Sequence, residues 1–168
     1  MSRKTTPTYV LLNQVTLAAA SSTVTFSNIP QTYGDLVLVC NSKLVTGPAQ
    51  DQSLQFNGDS GTNYSVVIMW GEGSARGSQP YSGQTNLLID FYGSVDTAFS
   101  NVTVAQIMDY SATDKHKTVL SRANRASGGV DAIAGRWANT NAITSITYFA
   151  SGRTFDTGST VSLYGVVA

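Results

Sequence analysis

Residues 136–168 restrict the fold of this chain more than any other stretch. Three clusters of turn-forming residues interrupt it, at 139–141, 151–153 and 156–159. The segments between them are rich in β-branched and aromatic residues, a combination typical of strands joined by short loops. The stretch therefore predicts a strand that carries Trp137 and two further antiparallel strands. It contains no candidate reaction centre.

The same alternation of strand and turn signals extends back to Tyr9. Strands are predicted over residues 9–17, 23–29, 34–44, 53–56, 64–70, 84–91, 99–109, 115–126, 130–138, 143–150 and 160–167. No segment combines helical periodicity with capping residues. The spacing therefore predicts an all-β protein of about ten strands, a single-domain antiparallel β-sandwich or jelly roll.

Three local patterns refine this prediction. Asn57-Gly58 is a strong signal for a tight turn and predicts that the strands on either side of it pair as a hairpin. The glycine-rich segment 71–83 is predicted to be a long exposed loop. The run 36–40 is apolar at every position, which is typical of a central strand that is covered on both faces.

Composition limits the partners of the chain. The 168 residues fit one domain, residues 9–168, preceded by a polar arm, residues 1–8, that is flexible or orders against a partner. Charged residues make up 12% of the chain, about half the usual share, and the ten basic and ten acidic side chains cancel. We therefore expect neither nucleic acid nor a membrane as a partner. A weakly charged surface suits a permanent assembly.

The sequence offers no constellation of residues for catalysis or metal binding. The single histidine, His116, lies in a charged turn, and the single cysteine, Cys40, lies in an apolar strand. A structural zinc site needs about four ligands, and no serine lies in a Gly-x-Ser-x-Gly elbow. We therefore expect a protein that is not an enzyme and has no cofactor. A small glycosidase is the enzymatic alternative, although no spacing selects a pair of carboxylates.

Half of the basic residues lie close together in the sequence. Residues 115–136 contain only Asp131 as an acidic residue and carry five basic ones, Lys115, Lys117, Arg122, Arg125 and Arg136. One interpretation is ordinary solvated strand faces. The other is a basic patch that docks on an acidic protein surface and orients the encounter. For the second interpretation we predict a partner interface formed by Arg3, Lys4, Lys115, Lys117, Arg122 and Arg125.

Three segments together resemble a known family. They are residues 27–33 (SNIPQTY), residues 54–65 (LQFNGDSGTNYS) and residues 136–165, with an Asn-Thr-Asn turn and a closing Leu-Tyr-Gly strand. This pattern, from about Leu11 to Val166, resembles small virion structural proteins of tailed bacteriophages, including cyanophages. The resemblance implies a jelly-roll or β-sandwich domain without catalytic residues that assembles, often as a trimer, on the outer capsid lattice.

The resemblance also implies a function. We expect a capsid decoration (cement) protein, a homotrimer made in the host cytoplasm, that binds the major capsid protein on the capsid exterior and stabilises the lattice. The alternative is a receptor-binding or carbohydrate-binding module at the tail tip or on a fibre. In that alternative, Trp70, Tyr81 and the segment 71–83 would contact a host glycan.

The core provides a first test of the strand assignments. Trp137 and Leu163 are expected to be buried, and replacing a buried tryptophan by alanine removes packing and leaves a cavity. Trp137→Ala should lower the free energy of unfolding by about 3–5 kcal/mol, measured by urea denaturation of the isolated protein. A loss below about 0.5 kcal/mol would show that the side chain is exposed or that its strand is assigned incorrectly.

Overall fold

Twelve β-strands form the secondary structure of the parts of the chain that the computed structural model describes, residues 7–91, 95–125 and 128–167. In chain order they are β1 (Tyr9–Thr16), β2 (Thr23–Phe26), β3 (Asp35–Ser42), β4 (Gln52–Phe56), β5 (Tyr64–Glu72), β6 (Ala75–Gln84), β7 (Leu87–Leu88), β8 (Asn101–Met108), β9 (Lys117–Asn124), β10 (Val130–Trp137), β11 (Ile146–Ala150) and β12 (Thr160–Val166). These ranges contain no helix, and the prediction of an all-β protein is confirmed. Most of the predicted arm, residues 1–6, lies outside them.

The strands form two antiparallel sheets that enclose one core. The large sheet has eight strands in the order β1-β12-β3-β8-β9-β10-β5-β6, and the small sheet has four in the order β2-β11-β4-β7. Alternate side chains of both sheets are buried in a single hydrophobic cluster, so the predicted β-sandwich is confirmed. Tyr9 of β1 pairs with Val166 of β12, which places the first and last strands side by side at one edge.

An aromatic cluster around Trp137 fills part of the space between the sheets. Trp137 is buried, as is Leu163, and both predictions of burial are confirmed. The indole ring packs against Phe56 of the small sheet, with ring centroids 5.6 Å apart, and against Tyr64 of the large sheet at 6.4 Å. Its Nε1 donates a hydrogen bond to Asp59 Oδ2 at 2.7 Å, which satisfies the polar group of the ring.

The turn at Asn57-Gly58 forms, but it does not produce a hairpin. Both residues have positive φ, 54° and 69°, and Asp59 N donates to Phe56 O at 2.9 Å, as in a tight turn. However, β4 before the turn belongs to the small sheet, and β5 after it belongs to the large sheet. The predicted pairing is wrong because Phe56 and Tyr64 both pack against the Trp137 ring between the sheets.

The segment 71–83 is mostly exposed, as predicted, but it belongs to a β-hairpin and not to a long loop. β5 continues to Glu72, and β6 begins at Ala75 after a two-residue turn. The Trp70 ring lies over Gly77 on the paired strand, where a Cβ atom would come within 2.9 Å of the ring. Glycine at this position allows the Trp70 ring to pack closely against the strand. In the sequence, the same glycine favoured the prediction of a loop.

Most predicted strands are somewhat shorter in the structure, and two of them illustrate the difference. The strand predicted over 84–91 is reduced to the two residues of β7. The strand predicted from residue 143 starts at Ile146, because the side chain of Asn57 holds the residues before it. Asn57 Oδ1 accepts hydrogen bonds from Thr144 N at 2.8 Å and from Ser145 N at 3.1 Å. These amides are thus satisfied outside any strand ladder.

A buried polar network joins the two sheets through Gln52 of β4. Its Nε2 donates hydrogen bonds to Asp90 Oδ2 at 2.5 Å and to Thr103 Oγ1 of β8 at 3.0 Å. Its Oε1 accepts a hydrogen bond from the hydroxyl of Tyr148 on β11. Because that proton is used, the Tyr148 oxygen accepts from Ser42 Oγ of β3 at 2.7 Å. Side chains of the small sheet are thereby bonded to two strands of the large sheet.

Asp90 is the member of this network that opposes folding at neutral pH. It is completely buried, and burial together with the nearby charge of Asp131 raises its pKa well above the ordinary value of 3.8. The hydrogen bond from Gln52 offsets this only in part. The folded protein therefore binds the Asp90 proton more tightly than the unfolded chain does. Its contribution to stability is greatest below the unfolded-state pKa and falls as pH rises through the folded-state pKa.

Asp90→Asn should stabilise the protein at neutral pH, because an amide keeps an oxygen for Gln52 and carries no charge. In urea denaturation, the gain in free energy of unfolding over the wild type should be largest near neutral pH. It should shrink as pH falls from neutral and be smallest below about 4, where the Asp90 carboxyl is protonated in both states. Identical pH profiles of variant and wild type would contradict the buried, protonated carboxyl.

Asp59→Asn is the matched control with the opposite sign. Partial burial raises the pKa of Asp59, but hydrogen bonds from Trp137 Nε1, Asn63 Nδ2 and Gly61 N lower it overall. A lowered folded-state pKa gives stability that is present above the unfolded-state pKa and is lost as pH falls. Asp59→Asn should therefore destabilise the protein at neutral pH, and its deficit should diminish in acid.

Candidate docking surface

One row of side chains crosses all eight strands of the large sheet on the face opposite the core. Each member lies directly opposite the next one on the neighbouring strand. From β1 to β6 the members are Leu11, Tyr164, Val37, Gln106, Leu120, Ala134, Val67 and Pro80. We call this the central row. Apart from Gln106 and the hydroxyl of Tyr164, it is an apolar line across the whole sheet.

A second row runs beside the central row on the same face. Its members are Gln14, Ser162, Val39, Val104, Arg122, Ala132, Met69 and Ser78. The two rows, with Tyr9, Asp35, Val102, Val130 and Arg136 at their margins, are called the outer face below.

The outer face carries most of the exposed apolar surface of the described chain. The described residues include ten large apolar side chains that are exposed. Seven of these ten lie on the outer face: Tyr9, Leu11, Val67, Met69, Val102, Leu120 and Val130. Scattered exposed apolar residues are ordinary, but a contiguous patch of this kind marks an interaction surface in soluble proteins. The patch is therefore the candidate functional site.

A groove lies in the outer face where β12, β3, β8 and β9 run side by side. It encloses about 580 Å³ and is lined by Tyr9, Val37, Val39, Val104, Gln106, Leu120, Ser121, Arg122 and Tyr164. Val37 and Val39 belong to the run 36–40, which is predicted to be covered on both faces. The described part of the chain covers only the inner side of this run. Val37 and Val39 are half-buried, so cover on both faces is not found among the described residues.

Two arginines give the outer face a positive charge, Arg122 within the second row and Arg136 at the margin. Arg122 and Arg136 are exposed, and neither has a hydrogen-bond or ion-pair partner among the residues that the structure describes. The acidic residue on this face is already engaged. Asp35 accepts hydrogen bonds from Gln106 Nε2 and from Asp109 N, both at 2.9 Å. The surface thus matches a partner with an apolar ridge flanked by carboxylates.

The structure separates basic residues that lie close together in the sequence. Arg122 is exposed on the outer face, and its role at a partner interface stays a prediction. Lys115 lies in the exposed turn before β9 and pairs with Asp109 at 3.3 Å. Arg125 is partly buried and pairs with Glu72 at 3.7 Å. The predicted residues Arg3 and Lys4 lie outside the described part of the chain.

Lys117 is buried, which corrects its predicted position at a partner interface. Its Nζ donates hydrogen bonds to three backbone carbonyls, those of Ala112 at 2.6 Å, Lys115 at 3.0 Å and Thr140 at 3.2 Å. Burial lowers the pKa of Lys117, although the carboxylate of Asp114 acts in the opposite direction. The ammonium group holds the turn before β9 against the loop after β10 and is not available to a partner.

The aromatic residues of the predicted glycan site do not form an exposed platform. Trp70 and Tyr81 are partly buried and pack against the core. The Tyr81 ring contacts the Phe91 ring at a centroid distance of 6.0 Å, and the Trp70 ring covers Gly77. Both rings are partly covered by neighbouring residues of the protein, and the carbohydrate-binding alternative stays a prediction.

The described ranges contain no cluster of metal-ligating side chains and no reactive thiol. No group of three or more His, Cys, Asp or Glu side chains within residues 7–91, 95–125 and 128–167 could hold a metal ion. Cys40 is buried, and burial raises the pKa of its thiol far above the ordinary value, which leaves it unreactive. His116 is exposed in the turn before β9. None of the described residues belongs to a helix that could cross a membrane.

The central row is not visible in any single strand of the sequence. The sequence signal for a member of the row is an apolar residue on the outward face of a strand, as with Val37 in β3 and Leu120 in β9. The solvated face of an antiparallel sheet usually carries polar side chains at such positions. Recognising the row requires the register that brings the eight strands side by side.

Comparison with known proteins yields distant similarities only. The sequence matches no protein-family model and no curated protein. Similar solved structures include the Caenorhabditis elegans galectin LEC-6, with 9% identity, a TM-score of 0.37, and coverage of 93% of this chain and 96% of the galectin. A variant of the alginate lyase Aly36B in complex with alginate trisaccharide has 10% identity, a TM-score of 0.31, and coverage of 91% and 80%. A human SPRY domain has 11% identity, a TM-score of 0.25, and coverage of 90% and 96%. The likeness is confined to the general all-β fold.

Lys117→Met should lower the free energy of unfolding by about 2–3 kcal/mol, because three backbone carbonyls lose a charged donor. Lys115→Met is the matched control, since it removes an amine in an exposed ion pair and should cost at most about 0.5 kcal/mol. Both losses are measured by urea denaturation at neutral pH. Equal losses would contradict the structural role of Lys117.

Proposed function

We propose that this chain is a non-enzymatic structural protein of a tailed-phage virion, in particular a capsid decoration protein that binds the major capsid protein through its outer face. The observation that carries the proposal is the central row, an outward-facing and mostly apolar line across all eight strands of the large sheet. The resemblance to phage virion proteins over most of the chain supports it, as does the low content of charged residues. The homotrimer implied by the same resemblance stays a prediction.

The two kinds of side chain on the outer face have different tasks in this function. The central row provides affinity, because burying Leu120 and its neighbours against another protein removes apolar surface from water. Arg122 and Arg136 orient the protein on carboxylates of the capsid subunit and accelerate association. Their contribution is weakened by salt, whereas that of the central row is not.

Stabilisation of the capsid follows from mass action. A protein that binds the assembled lattice but not the free subunits lowers the free energy of the lattice by RT ln(1+[L]/Kd) per site. At a free concentration one hundred times Kd, this amounts to about 2.7 kcal/mol per site. Summed over many sites, a modest affinity is enough to make the capsid resist swelling and disruption.

Leu120→Asp should raise the dissociation constant for capsids at least tenfold, because it places a charge in the centre of the apolar row and repels the carboxylates of the partner. Leu120 is exposed, so the fold should be retained. The measurement is co-sedimentation of the purified protein with phage capsids that lack it, across a concentration series.

Val45→Asp is the matched control, because Val45 is an exposed apolar residue in the loop after β3 and lies outside the outer face. It should bind capsids like the wild type. Equal effects of the two variants, or virions that contain only a few copies located at the tail, would contradict the proposal. A glycan-array signal that Leu120→Asp abolishes would instead assign the outer face to a receptor-binding module.

A further inference from the structure

The edges of the two sheets differ in how they are protected against pairing with another strand. β6, at one edge of the large sheet, contains Arg76 and Pro80. The edge strands of the small sheet, β2 and β7, have only four and two residues. Charge, proline and shortness are common means by which exposed edges avoid pairing. β1 has eight residues, no charge and no proline, and no strand of the described chain pairs with its free side.

Hydrogen bonds at the two ends of β1 determine which of its backbone groups are free. Thr8 O accepts from Val167 N at 2.9 Å, and Leu17 N donates to Ser159 O at 2.9 Å, so Thr8 and Leu17 both face β12. In an antiparallel ladder, successive residues direct their backbone groups to alternate sides. Counted inward from each end, the residues whose N–H and C=O groups point to the open edge are Tyr9, Leu11, Gln14 and Thr16.

A β-bulge in the middle of β1 permits only one symmetric register. The pairing with β12 shifts between Leu11 and Asn13, so Leu12 is an extra residue. The free backbone groups therefore lie as two pairs at equal distances on either side of the midpoint between Leu12 and Asn13. The side chains of Val10 and Val15 follow the same symmetry, since both are half-buried and pair with the buried residues Gly165 and Val161.

We propose that a second copy of this chain pairs antiparallel with β1 across a two-fold axis that passes between Leu12 and Asn13. In this register Tyr9 lies opposite Thr16 of the second copy, and Leu11 lies opposite Gln14 of the second copy. Free backbone donors then meet free acceptors at Tyr9, Leu11, Gln14 and Thr16, and the half-buried Val10 lies opposite the half-buried Val15 of the second copy. The two large sheets become one continuous sheet, and a two-fold interface of this kind closes without further growth.

The proposal is independent of capsid binding and predicts a different oligomer from the resemblance. Pairing through β1 gives a dimer, whereas the resemblance implies a trimer. The two proposals share Leu11 and Gln14, which lie on β1 and also belong to the outer face, but Leu120 lies on β9, far from the edge in the strand order. Leu120→Asp should therefore leave the dimer intact while it weakens capsid binding.

The register is tested with two double variants at positions that the pairing places opposite each other. In Leu11→Lys with Gln14→Lys, like charges face each other twice across the axis, and the dissociation constant of the dimer should rise at least tenfold. In Leu11→Glu with Gln14→Lys, each introduced carboxylate faces an introduced amine of the second copy, and the dimer should be regained at low salt. The masses of both variants and the wild type are measured by sedimentation equilibrium.

Several outcomes decide the proposal. A wild-type dimer that is lost in the first double variant and regained in the second supports it. A wild-type monomer or trimer at high micromolar concentration overturns it, as does a dimer that both double variants leave unchanged or both abolish. Circular dichroism and thermal unfolding show that each variant is folded, which is expected because Leu11 and Gln14 are exposed.

Discussion

The alignment of the two sheets depends on the hydrogen bonds of one buried amide, that of Gln52. Apolar packing between sheets is not directional, so a sheet could slide over its partner with little loss of buried area. The bond from Gln52 to Thr103 and the bond between Tyr148 and Ser42 cross from one sheet to the other and do not tolerate such a slide, because each buried polar group left unpaired costs about 1–3 kcal/mol. The amide therefore selects one alignment, in which Phe56 of the small sheet meets Trp137 of the large one.

Most strands could be predicted from the sequence because the alternation that produces them is local. β9 is an example, since every second residue from Val119 faces the core. The connection through Asn57-Gly58 could not be predicted in the same way. The turn itself is local, but the sheet that each flanking strand joins is decided by packing against Trp137, which lies 78 residues after Asp59. Gly77 shows the same limit, since its role appears only when Trp70 is placed beside it.

The candidate site was only partly accessible to sequence reasoning. The clustering of basic residues along the chain identified Arg122, but it also selected Lys117, which is buried. The error has a physical origin. Lys117 lies on the core-facing side of β9 together with Val119 and Ala123. Its burial is tolerated because the ammonium group donates hydrogen bonds to three backbone carbonyls. The central row requires long-range register, and no single segment contains more than one or two of its members.

The pairing of Tyr9 with Val166 has a mechanical consequence. The first and last strands are antiparallel neighbours, and these two residues occupy the same end of the pair. A force that pulled them apart would load the hydrogen bonds between β1 and β12 one after another, ending at Thr16 and Thr160, and not all together. Under tension the sandwich would peel from its edge at low force while the core stayed closed. Such a domain is suited to loads that press on the face of its sheet and poorly suited to serve as a link under tension.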